Sequence, residues 1–521
     1  MTGVGEAESN KWVVAGTVMT GTIMAVLDSS IVNVALPDMT ATLGATVEQI
    51  TWVVSGYLLS SVILMPITAL LSARFGRKRF YLASVILFTV SSMACGMARS
   101  LPVMVLFRVL QGVGGGVLIT VSQAILREAF PAEEQGMAMG LYGMGVVLAP
   151  AIGPTLGGWI TDQYTWPWVF YINIPIGVLN VLLVTRNIED PPYLVRDTGK
   201  IDFLGVGLLT VGLGALQLML ESGEREDWFE STMITALAVV ATVGLACFVW
   251  RELVADRPAV DLRILKNGAF TSATALGGVL GMGLFGTLFL LPLFLQRLLG
   301  YSAMDSGLAL MPRSLAMAVL MPVAGRLYNA VGPRTLVGAG LAVSAYSFWD
   351  LGRLSLDVGF WDIFFPQLWQ GVGFSLIFVA LSTAALAQIE RPKMTAATGL
   401  YNVVRQVFGS VGIALAATEL TRGQARFHAI LAAHVTPFDA TSQHWMAMVT
   451  AGMRAAGVDG WTASRRALRL LDLEIGRQAA VLAYNRIFML VAVLFLLAVP
   501  MVLFLSRGSR EAGPIEVVGE G

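Results

Sequence analysis

The sequence predicts an all-α polytopic membrane protein of about fourteen spans, built as two six-helix bundles with two further helices inserted between them. Three observations carry this. First, 56% of the 521 residues are hydrophobic and only 13% are charged, with a mean hydropathy of +0.73. A soluble chain carries roughly 25% charge, and one of this length would have about three domains to coat with it. Second, about fourteen stretches are long and apolar enough to cross a bilayer. Third, three pairs of short sequences recur at a nearly constant offset. Composition also excludes other classes. The apolar content rules out disorder. Thirty-four basic and 34 acidic residues cancel, which leaves no basic footprint for nucleic acid. Cys95 and Cys247 lie far apart in apolar stretches, so neither a disulfide framework nor a zinc site is expected.

The expected spans are 14–36, 50–72, 80–98, 101–126, 137–160, 169–186, 202–220, 232–250, 270–295, 305–328, 334–352, 361–387, 395–417 and 486–505. The first is too long, and too polar at its far end (Asp28, Asn33), for a cleaved leader, and no A-x-A-like site follows it. It is expected to be retained. Lys and Arg in short loops stay cytoplasmic. With both termini inside, the cytoplasmic segments hold 19 of the 34 basic residues: Lys11, Arg74, Arg77, Lys78, Arg79, Arg127, Arg186, Arg196, Lys200, Arg251, Arg257, Arg263, Lys266, Arg326, Arg334, Arg391, Lys393, Arg507 and Arg510. The short outer loops hold four: Arg99, Arg225, Arg297 and Arg353. The expected topology is multi-pass with both termini cytoplasmic. The long segment 418–485 carries further arginines, but long translocated loops escape the rule.

The repeat is internal. Ala69-x6-Gly76 matches Gly325-x6-Gly332 at an offset of 256, Arg108-Val-Leu-Gln-Gly112 matches Gln367-Leu-Trp-Gln-Gly371 at 259, and Gly140-Leu-Tyr-Gly143 matches Gly399-Leu-Tyr-Asn402 at 259. Each pair falls on spans of equal rank once spans seven and eight are set aside. The expected division is therefore 1–188, an N-terminal bundle; 189–267, an inserted helix pair; and 268–521, a C-terminal bundle with the long outer loop 418–485. Such a parallel duplication places a central site between the halves.

Several stretches carry a family resemblance. They include Leu27-Asp-Ser-Ser-Ile-Val-Asn-Val-Ala-Leu-Pro37, Trp52-Val-Val-Ser-Gly-Tyr57, Arg74-Phe-Gly-Arg-Lys-Arg79, Arg108-Val-Leu-Gln-Gly112, Gly153-Pro-Thr-Leu-Gly-Gly158 and Phe170-Tyr-Ile-Asn-Ile-Pro-Ile-Gly177. Pro258-Ala-Val-Asp-Leu262, Leu291-Pro-Leu-Phe-Leu-Gln296 and Arg405-Gln406 add to it. The chain resembles the major facilitator superfamily, and within it the fourteen-span drug:proton antiporters of the EmrB/QacA type. The Thr436-Pro-Phe438 loop and the Ala480–Ile487 stretch look most like the EmrB branch. The resemblance implies proton-driven export of lipophilic drugs from a bacterial inner membrane, with no enzyme activity and no cofactor beyond the proton gradient. It also implies a periplasmic membrane-fusion adaptor and an outer-membrane channel as partners.

Asp28 is the sharpest candidate, because an acid inside a span is expensive and usually functional. It lies roughly 13 Å deep and Arg108 roughly 10 Å, by the helical rise. Similar depths permit an ion pair or a shared watery pocket. In exchange, Asp28 takes a proton outside and loses it inside when substrate binds, with Arg108 favouring the charged form. The resemblance likewise assigns Arg108 to proton coupling. Gly76 fits a tight turn flanked by Arg74, Arg77, Lys78 and Arg79, which can meet helix carbonyl ends and acidic lipids. The family uses this segment as a gating latch, although Ala69 and Ala73 here stand where the family has Gly and Asp. Pro150 and Pro154 each remove a helix hydrogen bond. Gly153 and Gly157, with Gly158, allow close backbone approach. The result is a bent helix suited to act as a pivot. Gly112-Val-Gly-Gly-Gly116 follows no strand and no P-loop motif exists, so nucleotide binding is not expected.

Embedded arginines (Arg108, Arg313, Arg405) outnumber embedded acids, which favours neutral or anionic lipophiles. Asn33, Trp52, Gln111, Arg313, Gln367, Asn402 and Arg405 are expected to line the substrate cavity. His428, His434 and His444 share no metal-ligand spacing. Residues 463–482 read as an amphipathic helix, fit for the membrane interface or for an adaptor. A dedicated exporter of one metabolite, lipid or toxin fits the same features. A polytopic membrane enzyme does not, because no histidine lies in a span to serve acyl transfer or proteolysis.

Overall fold

A computed structural model describes residues 10–191, 199, 201–436 and 438–505, and the regular structure among them is all helical. Arg196, Lys200, Arg507 and Arg510, used for orientation, and Pro437 lie outside the described residues. The first six membrane helices are α1 (Lys11–Leu43), α2 (Trp52–Phe75), α3 (Arg77–Gly96), α4 (Leu101–Ala129), α5 (Gln135–Gln163) and α6 (Asn173–Asn187). Next come α7 (Phe203–Ser222) and α8 (Thr232–Val254). The remainder are α9 (Gly268–Arg297), α10 (Ala303–Val331), α11 (Pro333–Leu351), α12 (Phe360–Ala387), α13 (Met394–His434), a short α14 (Ala440–Ala455) and α15 (Gly460–Ala498).

Thirteen helices among the described residues are long and apolar enough to cross a membrane. The remaining expected span is α11, at 19 residues. It packs against α10, α12 and α15, and counting it makes the number of crossings even. Lys11 pairs with Glu134 at 2.5 Å, and Arg334 donates to the Leu505 carbonyl at 2.8 Å. Both described chain ends therefore sit at the end of the bundle that carries Arg74–Arg79, here the basic end. An even number of crossings is needed to return there.

The segment 418–485, read from hydropathy as a loop, is mostly helix. α13 runs unbroken to His434, and α15 starts at Gly460 and continues into the last span. No proline interrupts either helix, and the fall in hydropathy at 417 does not end α13. The amphipathic stretch 463–482 is thus the first part of α15, not a separate surface helix. His428 and Asp472 join α13 to α15 at 3.0 Å. Asp439 caps α14, and its hydrogen bonds from the Ser442 hydroxyl and amide hold its carboxyl below the usual carboxylate range.

The packing repeats. Contacts of α1 with α4, α5 and α6 recur as α9 with α12, α13 and α15. Those of α4 with α2 and α3 recur as α12 with α10 and α11. The turn glycines Gly76 and Gly332, 256 apart, have φ of 86° and 85°, a left-handed conformation open to glycine at little cost. The two sets of six meet along two seams near the basic end, α5 on α10 and α2 on α13. A Cβ at Gly140 would lie 2.5 Å from the Met321 carbonyl oxygen, and one at Gly399 would lie 2.5 Å from that of Met65. Met65-Pro66 and Met321-Pro322 are themselves 256 apart, a fourth repeated pair that pattern reading passed over. Asn402 reinforces one seam by donating to Gln123 at 2.6 Å, and Arg77 reinforces it by donating to the Thr395 hydroxyl at 3.4 Å.

The inserted pair packs through Gly212 and Gly244. α7 then leans on both sets: Glu221 accepts from Ser55 of α2, and Gln217 donates to Ser410 of α13 at 2.8 Å. Just beyond α7, Trp228 donates to Thr418 at 2.8 Å.

Because side chains cannot enter these seams without separating them, Gly399→Leu is expected to lower stability by about 1–3 kcal/mol, the cost of overpacking. It should also raise labelling of a cysteine placed at Gln123. Gly140→Leu should do the same at the other seam. Thermal unfolding and maleimide labelling in membranes check both.

Candidate functional site

Asp28 sits about halfway along α1, with no accessible surface. Arg108, equally buried, reaches it from α4: Nη1 lies 2.5 Å from Asp28 Oδ2. Asp28 Oδ1 accepts from Gln111 Nε2 and from Asn173 Nδ2, each at 2.8 Å. Arg108 also donates Nη1 to Gln111 Oε1 and Nε to the Val53 carbonyl, both at 2.8 Å. Tyr57 lies under the guanidinium at 4.4 Å, and Phe170 lies at 5.8 Å. Asn173 is held by Ser92 at 3.0 Å, and Ser92 donates to the Phe170 carbonyl at 2.9 Å. The expected pairing is present, and the watery pocket is not, because the carboxylate is sealed by residues of the first six helices.

The chemistry follows from the inventory. Two burials of charge in a membrane interior cost several kcal/mol each unless paired and hydrogen-bonded. Here both oxygens of the carboxylate receive donors, as the charge-assisted geometry requires. The three side chains bonded to Asp28 all meet it through N–H.

The proline segment connects to this site. Pro154 has no N–H for the carbonyl of Pro150, four residues earlier. Ser30 Oγ of α1 supplies the donor instead, at 3.2 Å. Gly153 and Gly157 seat directly on Ser30 and Ile31, while Gly158 only approaches Val34. α5 thus rests on α1 two residues from Asp28, and its other end forms a seam with α10.

The basic segment 74–79 is tied to several neighbouring segments. Arg77 pairs with Glu128 at the end of α4 at 2.6 Å. Arg74 donates to the Gly199 carbonyl at 2.9 Å. Lys78 donates its amide to Asp190 at 2.7 Å and its ammonium to the Thr185 carbonyl at 2.8 Å.

The seven residues expected to line one cavity are dispersed. Gln111 belongs to the Asp28 cluster. Arg313 and Gln367 lie buried between α10 and α12. Asn402 bridges a seam to Gln123. Arg405 stacks over Phe378 at 5.2 Å. Asn33 is exposed on α1, and Trp52 is exposed at the end of α2 away from the basic end. Sequence reasoning missed Asn173, Ser92, Tyr57, Gln123, Gln370 and Glu221. Asn173 and Tyr57 lay inside stretches already noted, but a polar residue in a span gives no sign of its partner. Among the described residues no group of His, Cys, Asp or Glu is placed to hold a metal ion.

Removing one partner of this buried pair should be costly. Arg108→Ala is expected to lose about 3–5 kcal/mol, the usual price of an orphaned buried charge. Adding Asp28→Asn to it should restore at least half, which thermal unfolding of the purified variants measures.

A family model, Major Facilitator Superfamily, matches residues 18–413. The chain is 36% identical to the fatty acid resistance protein FarB of Neisseria gonorrhoeae over 487 residues, covering 92% of this chain and 93% of that one. It is 37% identical to the multidrug export protein EmrB of Haemophilus influenzae, covering 91% and 92%. It is 35% identical to EmrB of Escherichia coli K12, covering 93% of each. Among solved structures, the human organic anion transporter MFSD10 superposes with a TM-score of 0.62 at 13% identity, covering 94% of this chain and 99% of that one. The proton:xylose symporter XylE does so with 0.60 at 13% identity, covering 93% and 94%. A multi-pass membrane chain with this helix order and these relatives is a carrier rather than an enzyme, and it belongs to the Major Facilitator Superfamily.

Proposed function

We propose that the protein is a proton-coupled antiporter that exports lipophilic compounds, neutral or anionic, across the bacterial inner membrane, with both termini in the cytoplasm. The observation that carries this reading is the sealed Asp28–Arg108 pair, a titratable group buried in a span and held by a single cation. Relatives named for multidrug export and for fatty acid resistance support the substrate class. The division into 1–188, an inserted pair 189–267, and 268–521 supplies two bundles that rock about the seams. The seams at the basic end are closed, which fits a site reached from the opposite side.

The cycle starts with a proton that neutralises Asp28 and releases Arg108 Nη1. Arg108 keeps its bonds to Val53 and Gln111, while α1 is free to shift against Ser30's contact with α5. α5 carries the shift to Met321 of α10. Substrate arriving from the inside favours the ionised pair again, and the proton leaves inward. Arg108 and Asp28 are the proton-coupling residues. The Arg74–Lys78 latch and the Pro150–Gly158 segment control which side is open. The adaptor and outer-membrane channel implied by the EmrB resemblance would meet the α13–α15 extension, which projects from the far end.

Asp28→Asn is expected to abolish substrate-driven proton release from vesicles, by at least about tenfold, while the protein still inserts, with thermal stability lowered by the unpaired Arg108. Exchange of labelled substrate without a gradient should persist in it. Undiminished proton flux in Asp28→Asn would remove this carboxyl from the mechanism.

A further inference from the structure

The repeat allows the Asp28 site to be compared with its counterpart in the last six helices. The register is fixed by close contacts. A Cβ at Gly112 would lie 2.2 Å from the Tyr57 carbonyl oxygen, and one at Gly371 would lie 2.5 Å from that of Arg313. Gly112 and Gly371 are 259 apart, and Tyr57 and Arg313 are 256 apart, the same offsets as the repeated motifs. Arg108 therefore corresponds to Gln367, Gln111 to Gln370, and Tyr57 to Arg313.

The two sites are built with opposite contents. In the first set, Gln111 bonds a carboxylate of its own chain, Asp28. In the second, Gln370 Oε1 accepts from Arg313 Nη1 at 3.2 Å. That is the one hydrogen bond of this guanidinium among the described residues, and it makes no ion pair there. Arg313 is only 2% exposed. Gln367, fully buried one turn from Gly371, has neither amide atom hydrogen-bonded, and Gln370 Nε2 is likewise unpartnered. α9, the counterpart of α1, contains no acidic residue. The nearest acid on α10 is Asp305, eight residues away and roughly 12 Å along the axis.

A buried cation without a counter-charge costs several kcal/mol, and unbonded buried amides add to that. A ligand that brings a planar anion relieves both. A guanidinium and two carboxamide N–H groups match a carboxylate, which accepts paired donors from a guanidinium fork. The surroundings select a single charge on an apolar body. Ala316 lies against Gly371, and Phe374, one turn along α12 from Gln370, packs on Phe348 and Phe495 with ring centres 6.1 Å away in each case.

We propose that Arg313, Gln367 and Gln370 form an anion subsite that takes the carboxylate of a lipophilic substrate. This rests on the exporter reading and names the head group the site recognises. Asp28 would be the chain's own carboxylate on one side of the repeat, and the cargo would supply the carboxylate on the other.

The test uses the full chain in nanodiscs without a gradient, titrated with the fluorescent pair 9-anthracenecarboxylate and 9-anthracenecarboxamide. Wild type should bind the carboxylate at least about tenfold more tightly. Arg313→Gln should bring the two affinities within about twofold while leaving that of the carboxamide unchanged, and Arg313→Lys should retain part of the preference. Should Arg313→Gln fail to give a monodisperse protein, Gln367→Leu is expected to cut the preference about threefold. A wild type without carboxylate preference would overturn the assignment. So would a preference that survives both Arg313→Gln and Gln367→Leu, which would make Arg313 a brace between α10 and α12. Binding here needs no proton exchange, so a failed antiport reading would show separately, as carboxamide uptake into vesicles that ignores a pH gradient.

Discussion

Everything in this fold accommodates one ion pair placed where charge is most expensive. Asp28 and Arg108 share 2.5 Å and no water-accessible surface. Five helices are committed to the pair: α1 and α4 carry the charges, α2 contributes the Val53 carbonyl and the Tyr57 ring, and α3 and α6 contribute Ser92 and Asn173. Both carboxylate oxygens have donors, while Arg108 Nη2 and Asn173 Oδ1 are buried without a partner. In the proposed cycle this network is the switch. In that cycle a proton on Asp28 removes the shortest bond in the set, the one that joins α1 to α4.

The loosening has a physical route outward. Ser30, two residues along α1, substitutes for the hydrogen bond that Pro154 removes from α5. α5 in turn forms one of the two glycine seams with the last six helices. On α4, the helix of Arg108 also carries Gln123, which Asn402 of α13 holds across the other seam. Both charged residues therefore lie on helices with direct contacts to a seam. Contiguity of this kind is a path for coupling, and its strength is set by how differently the seams pack in the two states.

Much of this was legible in the residues. Hydropathy located the helices because a span needs a fixed length of apolar residues, and the constant offset revealed the duplication because equal helices need equal spacing. Asp28 and Arg108 stood out because charge in an apolar run has few uses. Other features were not legible. The fall in hydropathy at 417 was indistinguishable from the end of a helix, since α13 continues in polar sequence. The partners Asn173 and Ser92 come from distant helices, and no local pattern encodes which neutral polar residue faces which charge. A single cavity was inferred from seven residues, among them Arg313, Gln367, Asn402 and Arg405, because depth is readable from sequence, whereas azimuth around a bundle is not. The structure separates those four into three different environments.

The central claim is that substrate and proton compete through the charge state of Asp28. Proton release on substrate binding, measured in weakly buffered detergent with a pH-indicator dye, tests it most directly. The account predicts about one proton released per substrate bound by the wild type when the protein starts protonated, and none from Asp28→Asn with binding retained. Equal release from both proteins would contradict it.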